Sequence, residues 1–200
     1  MEDPACKVKC AQIQDIPFML SLEKKYFPSC WCSEPTLIRR LIKKDPMMFR
    51  VCMVNGKIKG YYWVIPLEHS EWKKILTGEM KESQLIDHIK SFDEPNLYLY
   101  IAAVIVDIED KQHKKYTKAL VHDFNRHFVM KQTPNFPDIR SIGAFTISDG
   151  GQRLMERSNF SYNGNFEAEG QIVRSYSICR QALVEQTITT RLKSKQKSIA

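Results

Sequence analysis

The sequence predicts an α/β (α+β) fold: a mixed central sheet of six or seven strands flanked by helices, with a helical insert between strands 3 and 4. Three observations carry that expectation. The run "LYLYIAAVIV" is continuously apolar, rich in β-branched and aromatic residues and bounded by charge, as a strand buried on both faces requires. Two β-rich runs flank Asn55-Gly56 in "MFRVCMVNGKIKGYYWVIPL", and Asn-Gly accepts the positive φ angles of a type I′ hairpin turn. After a charged loop, Tyr116, Leu120, Phe124 and Phe128 recur every four residues and mark one face of a helix ending near Met130.

The remaining elements follow in chain order. "KVKCAQI" alternates as a strand does. Asp15 stands where a helix cap would, with Pro17 in the first turn of a helix running to about Tyr26. "FPSCWCSEP" breaks the pattern, and Ser33 is expected to cap a second helix with Pro35 early in it. Its apolar positions Leu37, Ile38, Leu41 and Ile42 share one face, while Arg39, Arg40, Lys43 and Lys44 form a solvated one. The insert from Glu68 to Pro95 reads as two short helices, "SEWKKILTGEM" and "SQLIDHIKSF", anchored by Trp72, Leu76, Leu85 and Ile89. "QTPNFPD" is a loop and "IRSIGAFTI" a strand. "SDGGQRLMERSNF" is a helix capped by Ser148 or Asp149, and "FSYNGNF" and "GQIVRSYSIC" close the sheet. The order is β-α-α-β-β-(insert)-β-α-β-α-β-β.

Two hundred residues, 43% hydrophobic and 26% charged, suit a single domain of residues 1–184. The net charge is +7, but the last ten residues carry four positive charges and no negative one. Taking those four from +7 leaves +3 on residues 1–190, which argues against a nucleic-acid partner and marks residues 185–200 as a basic, disordered tail. The longest apolar stretch falls far below the roughly 18 residues of a membrane span, and "MEDPACKVKC" lacks the apolar core of a secretory signal. A cytoplasmic protein is expected, with its six irregularly spaced cysteines reduced and mostly buried. "CWC" at Cys30–Cys32 has no second ligand pair at zinc spacing, and His122 and His127 do not share a helix face well, so no metal site is expected.

With these residues, the element order resembles the GNAT superfamily of acyl-CoA N-acyltransferases from about Val8 to Cys179. "GKIKGYYWVIPL" is similar to the family's second hairpin strand, with Gly60 at its usual place. "LYIAAVIVDIEDKQHKKYTKAL" is similar to the central strand, pyrophosphate loop and following helix. "TISDGGQRLMERSNFSYNG" is similar to the strand-to-helix segment, with Asn159-Phe160 where the family has Gly-Phe. The family's loop reads Gln or Arg, two residues, Gly, one residue, Gly or Ala. Gln112 fits the first position, but Lys115 and Thr117 stand where the small residues belong.

The resemblance implies an acetyl-CoA or other acyl-CoA co-substrate and a small-molecule or peptide amine as acceptor. It assigns cofactor contacts to Val104 and Val106 of the central strand, to Gln112, His113, Lys114, Lys115, Tyr116 and Thr117 of the loop and helix start, and to Ser148, where an asparagine often contacts the pantetheine arm. The family's usual catalytic glutamate falls near Ala102 and its usual tyrosine at Met155, so neither acid nor base is present and no catalytic residue is assigned. Tyr98, Tyr100, Tyr116 and Tyr162 are the remaining proton donors. Two readings of the loop stay open, a phosphate cradle that works without glycine or a plain helix start that has lost the cofactor, and the alternative to a transferase is a non-catalytic GNAT-like module that binds an acyl-CoA or a protein partner.

Overall fold

The computed structural model describes residues 6–131 and 136–197; side chains are described to residue 190. Seven strands form one mixed sheet in the order β1-β2-β3-β4-β5-β7-β6: β1 Lys7–Cys10, β2 Phe49–Val54, β3 Lys57–Leu67, β4 Leu97–Val106, β5 Ile139–Thr146, β6 Ser161–Ala168 and β7 Gln171–Cys179. The helices are α1 Ile16–Tyr26, α2 Pro35–Lys44, α3 His69–Thr77, α4 His113–Phe124, α5 Asp149–Arg157 and α6 Arg180–Lys197. The apolar run read as a buried strand is β4, fourth of the seven. The residues fall into two compact units, Met1–Ile65 with Ile101–Asn125, and Pro66–Tyr100 with Arg126–Ala200.

In the first unit, β2 and β3 pair antiparallel through Asn55 and Gly56, whose φ angles of 48° and 75° are those the Asn-Gly pair was expected to adopt. Gly60 is required by a close approach: a Cβ there would lie 2.7 Å from the Ile105 carbonyl oxygen and 3.2 Å from Leu120 Cδ1. Successive residues Tyr61 and Tyr62 are both buried, and strand geometry sends them to opposite faces. Tyr61 donates to the buried carboxylate of Glu23 on α1, and Tyr62 to that of Asp123 on α4 at 2.8 Å. Burial and the facing carboxylate push both phenol pKa values well up, so each hydroxyl keeps its proton and acts as donor.

Helices α1 and α2 begin near the expected residues, but neither expected side-chain cap is made. The Asp15 side chain turns back to accept the Gln12 amide at 2.9 Å and pairs with Lys9 at 3.5 Å. Ser33 donates its amide and hydroxyl to Glu23 at 2.6 and 2.8 Å, leaving Glu34 at the cap position of α2. A carboxylate buried to 1% exposure needs several donors, and that demand outweighs a helix cap exposed to water.

The cysteine expectation is overturned. Cys6 and Cys52 are joined by a disulfide, with their Cα atoms 6.4 Å apart. Antiparallel pairing sets Val8 against Cys52 and Lys7 against Met53, which carries the start of β1 alongside β2; no sequence spacing displays that. Cys10, Cys30, Cys32 and Cys179 are free, and Cys30 and Cys179 are exposed rather than buried.

In the second unit, α3 ends at Gly78, whose φ of 77° makes the left-handed cap. The second part of the insert is a 3-10 helix, Glu82–His88, rather than an α-helix; the Gln84 side chain accepts the Lys81 amide at 2.9 Å across its tight first turn. Trp72, Leu76, Leu85 and Ile89 are buried as expected, and Trp72 Nε1 donates to the Leu99 carbonyl at 3.1 Å. Antiparallel pairing joins β5 to β7 and β7 to β6.

Where a disordered tail was expected from residue 185, the chain is helical to Lys197. That stretch holds neither Gly nor Pro and is rich in good helix formers. Residues 132–135 of the expected "QTPNFPD" loop and the last three residues of the tail lie outside the described residues. Among the described residues, no helix is long and apolar enough to cross a membrane.

Candidate functional site

The candidate site begins where β4 ends. Positions 102–104, Ala102, Ala103 and Val104, are half-exposed in a strand that is buried at Ile101, Ile105 and Val106. The strand is therefore not covered along its whole length, as the continuous apolar run predicts. The next residues, Asp107 to Gln112, form the loop that enters α4 at His113. No residue of this loop or of the first turn of α4 has a positive φ. The backbone path thus needs no glycine; the only glycine property missing is a bare surface for close approach.

The loop is held by charge instead. Lys25 of α1 pairs with Asp107 at 2.9 Å and with Glu109 at 2.7 Å. Tyr26 donates to Asp107 at 2.8 Å, and the Asp107 amide donates to the Lys59 carbonyl at 2.9 Å. Lys59 of β3 reaches Asp110 at 2.8 Å and Asp107 at 3.4 Å. The bonds to Glu109 and Asp107 raise the Lys25 pKa, and the bond to Asp110 raises that of Lys59. Lys25, followed by Tyr26, lowers the Asp107 pKa.

Asp110 is engaged on both carboxylate oxygens. One carboxylate oxygen accepts the Gln112 amide at 2.9 Å, and the other faces Lys59 at 2.8 Å. Lys59 and the Gln112 amide together hold its pKa down at about 2. Its main-chain carbonyl accepts the His113 amide at 2.9 Å and lies 3.0 Å from His113 Nδ1, a bond that places the proton on that nitrogen.

Gln112, His113, Lys114, Lys115, Tyr116 and Thr117 are brought together in this loop and helix start, with Val104 and Val106 on the strand before it. They differ in what they present. Lys114 is exposed; Gln112, His113, Lys115 and Thr117 are half-buried. Tyr116 is 2% exposed, so its side chain belongs to the interior of the unit rather than to the surface of the loop. Burial, then Asp110, pushes its phenol pKa up. The Thr117 hydroxyl donates back to the His113 carbonyl at 3.0 Å. The Lys115 and Tyr116 amides both meet the Gln112 carbonyl, at 2.8 and 3.3 Å. Gln112 Oε1 is buried with no hydrogen-bond partner among the described residues.

Ser148 lies in the second unit, exposed, where it caps α5 by accepting the Gly151 amide at 3.1 Å. Met155, at the position of the usual tyrosine, is buried. Tyr100 is buried and bonded to Glu82, and Tyr162 is exposed and donates to Asn165 at 2.7 Å. The half-exposed Tyr98 packs on His69, ring centroids 4.7 Å apart. Among the described residues no three His, Cys, Asp or Glu side chains gather as a metal site would need.

The residues that sequence reading missed are Lys25 and Lys59. The signal for them was the triple Asp107, Glu109, Asp110: three acids within four positions call for cations from elsewhere in the chain.

No protein-family model matches the sequence, and no curated protein does either. The fold does match solved structures. The chain is similar to the GphF GNAT-like decarboxylase in complex with isobutyryl-CoA, with a TM-score of 0.63 at 12% identity over 87% of this chain and 99% of that one. It is similar to the loading GNATL domain of CurA from Lyngbya majuscula, with a TM-score of 0.62 at 11% identity over 89% and 99%. It is also similar to Arabidopsis thaliana NAA60 in complex with acetyl-CoA, with a TM-score of 0.57 at 16% identity over 88% and 97%. These likenesses establish the GNAT fold.

Proposed function

We propose that this chain, whose fold is that of the GNAT proteins, binds an acyl-CoA at the loop that enters α4 and transfers its acyl group, acetyl by preference, directly to an amine. The observation that carries the reading is the entry to α4. It follows the central strand directly, has no strained residue, and sets Lys111, Lys114 and Lys115 around the N-terminal turn of a helix. The positive end of the helix dipole and these ammonium groups together suit a pyrophosphate. Two proteins of this fold are in complex with isobutyryl-CoA and with acetyl-CoA.

Ala102 and Met155 supply neither base nor acid. In the proposed reaction the amine nitrogen attacks the thioester carbonyl carbon, the C–S bond breaks, and the thiolate leaves. The protein's contribution is alignment of the two reactants, which can remove several kcal/mol of barrier, while water takes the amine proton and returns one to the thiolate. The acceptor is a small molecule or a peptide amine.

Native mass spectrometry of the purified protein, calorimetric titration with CoA, and thiol release from acetyl-CoA across an amine panel test the reading. Saturable CoA binding and amine-dependent thiol release are expected. Absence of binding at millimolar CoA overturns it; binding without thiol release for any amine leaves a CoA-binding module and removes the transferase.

A further inference from the structure

The geometry points to Asp110 as a built-in occupant of the anion site: its carboxylate holds the donors that a ligand phosphate needs, so that acyl-CoA binds by displacing it. This inference rests on the CoA reading above. A phosphate entering at the start of α4 seeks a main-chain amide and a cation. In this loop both already face one carboxylate, the Gln112 amide at 2.9 Å and the Lys59 ammonium at 2.8 Å.

Asp107 does not play this part. Its partners are Lys25 at 2.9 Å and Tyr26 at 2.8 Å, and Lys59 reaches it only at 3.4 Å. Lys59 therefore serves chiefly Asp110 and becomes available only when that carboxylate leaves or loses its charge. This loop provides one amide and one ammonium already satisfied by an acid of its own. Binding is then an exchange of anions. A dianionic pyrophosphate displaces a carboxylate more readily than a monoanion does, so Asp110 sets both the affinity and the charge selectivity of the site.

The test compares wild type, Asp110→Asn and Asp110→Ala, each titrated calorimetrically with CoA and separately with inorganic pyrophosphate, with circular dichroism to confirm the fold. Asparagine can still accept the Gln112 amide and keep the turn, but it does not hold the lysine charge. Asp110→Asn is expected to bind both ligands more tightly, on the order of tenfold, the scale of one charge-assisted contact. Adding Lys59→Gln should abolish that gain. Equal or weaker binding of both ligands by Asp110→Asn overturns the inference, since the residue then only shapes the turn. If Asp110→Ala fails to fold, Asp110→Asn alone decides. The two readings fail separately. Tighter pyrophosphate binding with no CoA binding by any form keeps Asp110 as occupant and removes the CoA reading. CoA binding that is the same in wild type and Asp110→Asn keeps the CoA reading and removes the occupant. Binding of neither ligand by any form removes both.

Discussion

Arg50 and Asp123 meet inside the first unit as a two-point ion pair, Nε to one carboxylate oxygen at 2.9 Å and Nη2 to the other at 2.8 Å. Both residues are buried. Burial works against the guanidinium charge, but the bond and the field of Asp123 outweigh it and push the Arg50 pKa up. Asp123→Ala leaves that charge buried with its main partner gone and is expected to cost about 3–5 kcal/mol of stability. The double change Arg50→Met, Asp123→Leu should cost less than the single one. Urea denaturation measures both, and a single-variant loss below about 1 kcal/mol contradicts the buried pair.

The Asp110 carboxyl falls from an ordinary 3.8 to about 2 on folding. Its contribution to the loop is therefore fully present above about pH 4 and is lost as pH falls through about 2. A carbon NMR titration of this carboxyl should show a midpoint near 2. Lys59→Gln removes the leading cause and should move the midpoint back toward 3.8. A midpoint that ignores Lys59→Gln contradicts the ion pair.

Denatured, unreduced protein should expose four reactive thiols, and reduction should raise the number to six. The bond spans 46 residues, and in the chain-entropy account its loss by Cys6→Ser costs roughly 4 kcal/mol. Six reactive thiols before reduction, in protein prepared without reductant, exclude the bond.

Lys115 tests whether backbone or side chain holds the ligand. Lys115→Ala should weaken CoA binding by at most about 1 kcal/mol, the scale of a solvent-screened charge. Lys115→Pro breaks the 2.8 Å bond of its amide to the Gln112 carbonyl, loosens the backbone of the helix start, and should cost more. Calorimetry on folded variants decides. Loss of binding in Lys115→Ala alone makes the site a patch of side-chain charge.

Much of the architecture was legible because it rests on local signals. The positive-φ demand of Asn55-Gly56, the unbroken apolar run of β4 and the four-residue spacing of Tyr116, Leu120 and Phe124 each declare an element within a few residues. What was not legible depends on partners far apart in the chain. Ser33 looks like a cap until Glu23, buried and short of donors, takes its amide and hydroxyl. Cys6 looks free until β1 lies along β2. The candidate loop was located by its place after β4; its three acids call for cations, but only the fold identifies these as Lys25 and Lys59, tens of residues away in the chain.

Tyr61 and Tyr62 also bear on how the chain avoids misfolding. A slip of β3 by one residue would exchange the faces of the whole strand. Each hydroxyl would then leave its own carboxylate, with Glu23 losing one of its donors and Asp123 one of its own. The error would strand polar groups on both faces at once, a penalty that apolar residues at these positions could not impose. Two neighbouring phenols thus act as a gauge of alignment: a mispaired hairpin is marked as wrong by both layers of helices.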